Sequence, residues 1–263
     1  MIDRPAMSPP AGGSPDGSPG GSPGGSPGGS PGGTEGTSAR LRALADPIWR
    51  AHLDHPLVRG IGDGTLDPAR FAVWLRQDYL FLRDYGRVLA HAAARAPDPA
   101  AMAQFAALLH ETLATEMDLH RSYVAGFGIT VADLEAETML PTTRAYTDFL
   151  VRVAATADVA EVYAALLPCV WGYSWLGQEL ARRGPPPDDR YARWVATYAD
   201  PAFALLAARC RDLLDAAADD LTGAARARVG AAFLLSSRYE LAFWDMAWHG
   251  ESWPGPPIGV SSP

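Results

Sequence analysis

The spacing of apolar residues predicts an all-α helical bundle. Three observations carry that reading. From residue 38 onward, apolar side chains recur every three or four positions, the period of an amphipathic helix. No stretch shows the two-residue alternation of a half-buried strand. Breakers such as Ala96-Pro97-Asp98-Pro99, Gly126-Phe127-Gly128 and Gly184-Pro185-Pro186-Pro187 divide the periodic segments at helix-length intervals.

The elements follow in order. Helix one covers about 38–53 and ends before His55-Pro56, because the residue before a proline is pushed out of the helical region. Gly60-Ile61-Gly62-Asp63-Gly64-Thr65 reads as a loop. Asp67-Pro68 opens a second helix running to about Arg95, with Asp67 as N-cap and Pro68 at the first helical position. A third spans about 99–126 and stops at the Gly126-Phe127-Gly128 turn. A short helix runs from Thr130 to about Glu137, and another from Thr142 to about Ala155. Val159 to about Arg183 is a long apolar helix. One or two helices cover 189–220, broken at Asp200-Pro201. Thr222 to about His249 is the last.

The first 36 residues are excluded from this bundle. Between residues 8 and 36 the chain is built from Gly, Ser and Pro, with GGSP repeated. Such a segment cannot bury enough apolar surface to offset its ordering entropy, so residues 1–36 are expected to be a flexible tail. Residues 37–250 make one domain of ordinary size, and 251–263 a loose C-terminus. Net charge is −8 and the basic residues are arginine, with no lysine. An acidic chain without a basic patch argues against nucleic acid and anionic membranes as partners. The N-terminus lacks the charged and apolar regions expected of a signal peptide, and no apolar run reaches transmembrane length. Two cysteines make neither a disulfide framework nor a paired metal motif. The expected address is the cytoplasm.

Three helical stripes break their own pattern. Phe71, Trp74, Leu75, Asp78, Phe81, Leu82, Tyr85 and Leu89 share one face, with the carboxylate of Asp78 in its middle. An unpaired buried carboxylate is costly. Asp78 therefore has a structural partner, an Arg or a backbone amide, or it accepts hydrogen bonds from a ligand amine. Phe233, Ser236, Ser237, Glu240, Phe243, Trp244 and Ala247 repeat the pattern around Glu240. Desolvation would raise the pKa of that glutamate and suit it to proton transfer near neutral pH; a buried ion pair is the plainer reading. The third stripe is Leu166, Cys169, Tyr173, Leu176 and Leu180, with Pro168 bending the helix beside the thiol. Cys169 is either an inert packing residue or a nucleophile. Cys210 reads as packing. Glu116 and His120 sit four apart, a helix pair rather than the repeated Glu-x-x-His of a di-iron bundle. His52, His55, His91, His110 and His249 show no ligand spacing.

These residues fall into blocks that resemble the TenA/thiaminase II family, the aminopyrimidine aminohydrolases of the cysteine-containing class. The blocks are His55-Pro56-Leu57-Val58-Arg59-Gly60-Ile61-Gly62-Asp63-Gly64-Thr65-Leu66, Gln77-Asp78-Tyr79, Leu166-Leu167-Pro168-Cys169-Val170-Trp171-Gly172-Tyr173, and Ser236-Ser237-Arg238-Tyr239-Glu240 with Phe243-Trp244. Pro141-Thr142 leading to Tyr146-Thr147, and Trp194 leading to Tyr198, agree as well. Together the blocks cover about 41–250 in family order, and the set is far more specific than any member. The resemblance implies a haem-oxygenase-like fold and a homotetramer without metal, haem or other cofactor. It implies hydrolysis of 4-amino-5-aminomethyl-2-methylpyrimidine to the 5-hydroxymethyl compound, which salvages the pyrimidine of degraded thiamine, with slower cleavage of thiamine itself. By matching position, Cys169 resembles the nucleophile, Glu240 the acid/base and Asp78 the holder of the ring amine. Tyr146, Tyr173 and Tyr198 resemble pocket tyrosines. Phe81 departs from the pattern, since many members carry Tyr there; the ring remains and a hydroxyl is lost. Two other readings use the same scaffold: a non-catalytic pyrimidine-binding or regulatory protein, and a redox protein using haem or di-iron.

Overall fold

A computed structural model describes residues 36–255, except the side chains of residues 115, 116, 118 and 119. The expected N-terminal tail therefore lies outside the described residues, save Gly36. Every regular element described is helical. The order is α1 (Thr37–Leu44), α2 (Asp46–Asp54), α3 (Pro56–Asp63), α4 (Pro68–Ala94), α5 (Pro99–His110), a π-helical segment (Glu111–Glu116), α6 (Met117–Val124), a 3₁₀ turn (Ala125–Phe127), α7 (Val131–Ala136), α8 (Pro141–Thr156), α9 (Val159–Ala181), α10 (Asp189–Ala199), α11 (Pro201–Ala217) and α12 (Gly223–His249).

Starts follow the capping residues. Asp67 accepts from the Ala69 amide at 2.9 Å with Pro68 behind it. Thr130 and Asp133 exchange both hydrogen bonds of a capping box at α7. Asp200 caps α11 through the Ala202 amide, with Pro201 first in the helix.

Three expectations change. Helix one is two helices: Pro47 has no amide hydrogen for the Ala43 carbonyl, and Ala45 (φ −84°, ψ −2°) bends the chain between α1 and α2. The glycine-rich stretch at 60–65 is mostly helix α3, and only Gly64 turns left-handed, with φ 76°. Gly60 and Gly62 are packing residues instead. A Cβ on Gly60 would sit 3.0 Å from the Leu66 backbone, and one on Gly62 would sit 2.7 Å from Leu180. The third helix is interrupted by the π segment, a local insertion that widens the turn and often marks functional sites.

α9 is buried on nearly every side, with α2, α8, α10, α11 and α12 packed against it. A helix apolar all round belongs in a core. α4 packs on α8 and α12, and α5 on α4. Trp74 of α4 stacks on Trp244 of α12 at 5.5 Å between ring centroids, and Tyr173 of α9 packs on the same indole at 5.5 Å. His52 locks α2 to α12: its Nδ1 accepts from Trp244 Nε1 at 3.3 Å and its Nε2 donates to the Ser237 carbonyl at 3.1 Å. Burial holds that imidazole neutral, with a pKa lowered to about 4.

Two contacts set the frame of the site. Gln77 of α4 donates to the Thr138 carbonyl and accepts from the Leu140 amide, at 3.0 and 2.9 Å, which fixes the entry to α8. α9 and α10 cross with Gly177 at the contact: a Cβ there would lie 2.5 Å from the Tyr198 carbonyl carbon. Near the C-terminus, Glu251 accepts from the amide and hydroxyl of Thr142, and Trp253 donates to the Met139 carbonyl. Residues 256–263 lie outside the described residues.

Candidate active site

A cleft of about 700 Å³ opens where α4, α8, α9, α10 and α12 converge. All seven residues singled out from the sequence line it: Asp78 and Phe81 from α4, Tyr146 from α8, Cys169 and Tyr173 from α9, Tyr198 from α10 and Glu240 from α12. Asp78, Phe81, Cys169, Tyr173 and Glu240 came from stripe positions, so the helix that carries each turns it inward with its apolar neighbours; Tyr146 and Tyr198 came from the resemblance alone.

Glu240 is the most confined charge-bearing group, at 3 % exposed. Its Oε1 accepts from the Tyr146 hydroxyl at 2.6 Å, and Cys169 also hydrogen-bonds to it. Burial pushes its carboxyl up to about 7; the two hydrogen bonds oppose that rise without cancelling it. Tyr146 is itself held well above the phenol range by burial and by the facing glutamate. Its hydroxyl also meets Ser236 Oγ at 2.9 Å. Thiol and carboxyl are thus in contact, and a carboxyl near neutral pKa is a base matched to a thiol proton.

Asp78 is largely buried, and its Oδ2 lies 3.4 Å from His120 Nδ1. His120 Nε2 lies 2.8 Å from the Leu75 carbonyl, which only accepts. Nε2 therefore carries the ring proton. Burial lowers the His120 pKa to about 4, and its Nδ1 edge faces Asp78 at the cleft wall. A carboxyl group at that wall can accept from the N–H groups of an amine. The partner expected for Asp78 was an Arg or an amide; here a histidine faces it. His120 was read as a helix partner of Glu116, whose side chain lies outside the described residues. Local spacing places His120 beside Glu116 and says nothing of α4, packed from elsewhere in the chain.

The rest of the wall is aromatic. Phe81 lies 5.1 Å from Tyr146, 5.7 Å from Tyr85 and 6.0 Å from Phe243, ring to ring. Tyr173 lies 5.0 Å from Tyr198, which in turn meets Phe203 at 5.3 Å. Flat faces at these spacings suit a planar heterocycle. The π segment adds Glu111 and Thr112 to the lining; these the sequence did not single out, because a π insertion shifts the register that periodicity relies on. A second hollow of about 990 Å³ adjoins the first and shares Asp78 and Tyr198 with it. Cys210 does not line the cleft, and burial raises its thiol to about 11. Among the described residues no cluster of three or more His, Cys, Asp or Glu is placed to hold a metal ion, and no helix is long and apolar enough to cross a membrane.

The chain has clear relatives. The model of the TENA/THI-4/PQQC family matches residues 42–250. An aminopyrimidine aminohydrolase of Halalkalibacterium halodurans is 40 % identical over 218 residues, 82 % of this chain and 97 % of that protein. One of Bacillus subtilis is 33 % identical, over 82 % of this chain and 91 % of its own length. Among solved structures, a TenA homologue from P. horikoshii OT3 superposes with TM-score 0.76 at 27 % identity, covering 82 % of this chain and all of that one. The fold alone is shared, at TM-score 0.63 and 16 % identity, with a heme oxygenase-like domain from Shewanella denitrificans that covers 80 % of this chain and 90 % of its own.

Proposed function

The chain belongs to the TENA/THI-4/PQQC family, and from that premise we propose that it is an aminopyrimidine aminohydrolase of thiamine salvage. Its substrate is 4-amino-5-aminomethyl-2-methylpyrimidine, its products the 5-hydroxymethyl pyrimidine and ammonia, with thiamine cleaved more slowly. One observation carries the reading: Asp78, Cys169 and Glu240, on three different helices, face one aromatic cleft.

The chemistry follows from what each group can do. Direct displacement at the exocyclic carbon is slow. The pyrimidine lies between the aromatic walls, and Asp78 accepts its amino hydrogens. Glu240 takes the thiol proton and delivers it to a ring nitrogen. The thiolate of Cys169 adds to the ring as that nitrogen is protonated. Electrons from the adduct then expel the amine, which leaves as ammonia once it has gained a proton, and an exocyclic methylene remains. Water adds to the methylene, its proton returns to the site, and the thiolate departs with the aromatic ring restored. The sum is one amine and one water consumed for one alcohol and one ammonia. Residues 37–250 carry this chemistry as a homotetramer in the cytoplasm, and the Gly/Ser/Pro tail contributes none of it.

The test is ammonia release from the aminomethyl pyrimidine by the purified protein. Release at enzymatic rates supports the assignment. Tight binding of the pyrimidine without release would favour a pyrimidine-binding protein instead. Phe81 offers a finer check. Phe81→Tyr adds a hydroxyl at a position 4 % exposed on the cleft wall. The expected result is a KM lowered severalfold with kcat changed less, because the gain is in orienting the bound ring. Unchanged steady-state constants would show that the missing hydroxyl has no bearing on substrate.

A further inference from the structure

Beyond the thiol, the cleft continues inward as a line of polar groups. Glu240 Oε1, Tyr146 Oη, Ser236 Oγ and the Ala165 carbonyl oxygen follow one another at 2.6, 2.9 and 2.6 Å. Tyr146 is 1 % exposed and Ser236 fully enclosed. Three gaps need three protons. Tyr146 and Ser236 bring one each, and a carbonyl brings none. With Glu240 ionised, one gap is left as two oxygens facing each other without a hydrogen. With Glu240 protonated, all three fill in one direction: Glu240 donates to Tyr146, Tyr146 to Ser236, and Ser236 to Ala165. Buried polar lines are costly when incompletely filled.

The last acceptor sits at the helix bend. Pro168 has no amide hydrogen for the Ala164 carbonyl, and the next carbonyl, that of Ala165, takes the Ser236 hydroxyl. The titratable groups that share the cleft with Glu240 are Asp78 and Tyr85 on α4, Glu111 in the π segment, Tyr146 on α8, Cys169 and Tyr173 on α9 and Tyr198 on α10. No cationic side chain is among the residues lining this cleft. Burial, this line of hydroxyls and the Cys169 hydrogen bond therefore govern how tightly the carboxyl holds its proton.

We infer that Ser236 is a positioning residue for the proposed hydrolysis: when Glu240 is protonated, Ser236 accepts the Tyr146 hydroxyl and leaves the Tyr146 lone pair to the Glu240 proton, and so keeps that carboxyl basic enough to receive the thiol proton. The effect on rate rests on the function proposed above; the effect on the proton does not. Removing Ser236 leaves the Tyr146 hydrogen with Glu240 as its acceptor, which favours the carboxylate. The Glu240 proton is then lost at lower pH.

Infrared titration of the buried carboxylic acid band, identified by its loss in Glu240→Gln, reads this without turnover. The wild-type midpoint is expected near 7. In Ser236→Ala it falls by roughly one pH unit, the scale of one hydrogen bond to the neutral form. In Tyr146→Phe it rises instead, because the ionised carboxylate loses the charge-assisted bond from the Tyr146 hydroxyl, and that outweighs the weaker acceptor lost to the neutral acid. The acid limb of kcat/KM, which reports the free enzyme, moves down in Ser236→Ala with the infrared midpoint, and its plateau drops severalfold as the base weakens. If Ser236→Ala does not fold, Ser236→Cys replaces the hydroxyl with a weakly hydrogen-bonding thiol at similar volume and moves the midpoint the same way. An unchanged midpoint, or a shift of the same sign in the Ser236 and Tyr146 variants, overturns the inference. A wild-type protein that shows the infrared shifts but releases no ammonia overturns the proposed reaction and leaves the positioning role standing.

Discussion

Cys169→Ser is expected to lower kcat/KM for ammonia release by at least roughly 10³-fold, with the pyrimidine still binding. Serine keeps the shape of the side chain and a hydrogen bond to Glu240. It does not keep the nucleophile: a carboxyl with pKa about 7 can draw a proton from a thiol but hardly from an aliphatic alcohol. Asp78, Phe81 and Tyr198, proposed above to hold the substrate, line the cleft from other helices and are left in place. Steady-state kinetics beside a binding titration separates the two effects. Near-normal turnover in the serine variant would remove Cys169 from the chemistry and return it to packing.

Glu240→Gln is expected to abolish turnover and at the same time stabilise the protein above neutral pH. The sign follows from where the proton sits. Unfolded, the carboxyl ionises near 4.5; folded, near 7. Below 4.5 both states are protonated and burial of the group carries no electrostatic penalty. As pH rises from 4.5 to 7 the unfolded state releases its proton and the native state does not, so stability falls. Above 7 the loss is complete, about 3 kcal/mol for a shift of this size. Glutamine escapes it. Its amide also donates to Tyr146 as the protonated carboxyl does, so the line through Ser236 to Ala165 stays filled. At pH 8 the variant is expected to melt roughly 5–10 °C above wild type, and near pH 4 the two should coincide. Calorimetry across that range decides it. A variant less stable than wild type at every pH would mean that Glu240 is a structural carboxylate with its charge compensated. A gain in stability with loss of activity is the mark of a group retained for function.

The helical bundle was legible because apolar spacing reports burial directly, and the long, strongly periodic elements report it best. α4, α9 and α12 fall within two residues of their expected ends. What spacing misses is interruption that costs little. Pro47 signalled the break between α1 and α2, but the apolar face runs straight past it. Glycines at 60 and 62 were read as turn residues, whereas close approach of Leu66 and Leu180 is what excludes a side chain there. The cleft was legible for a related reason. A carboxylate or thiol on an apolar stripe is conspicuous, and Asp78, Cys169 and Glu240 each stood on one. His120 and Ser236 were less visible in kind: a buried histidine and a buried serine are unremarkable in a helix face, and their meaning lies in partners 45 and 71 positions away in the chain. Pairings at that distance leave no trace in local periodicity.

The crossing at Gly177 bears on how this cleft could be refitted to a different heterocycle. With only a hydrogen atom between α9 and the Tyr198 backbone, the thiol helix and one aromatic jaw form a single rigid block, and no redesign gains room by prising them apart. New volume has to come from trimming rings, Phe81 and Tyr198 first, on a chassis that stays put. Selectivity among flat ring systems can then drift by single substitutions while Asp78, Cys169 and Glu240 keep their spacing.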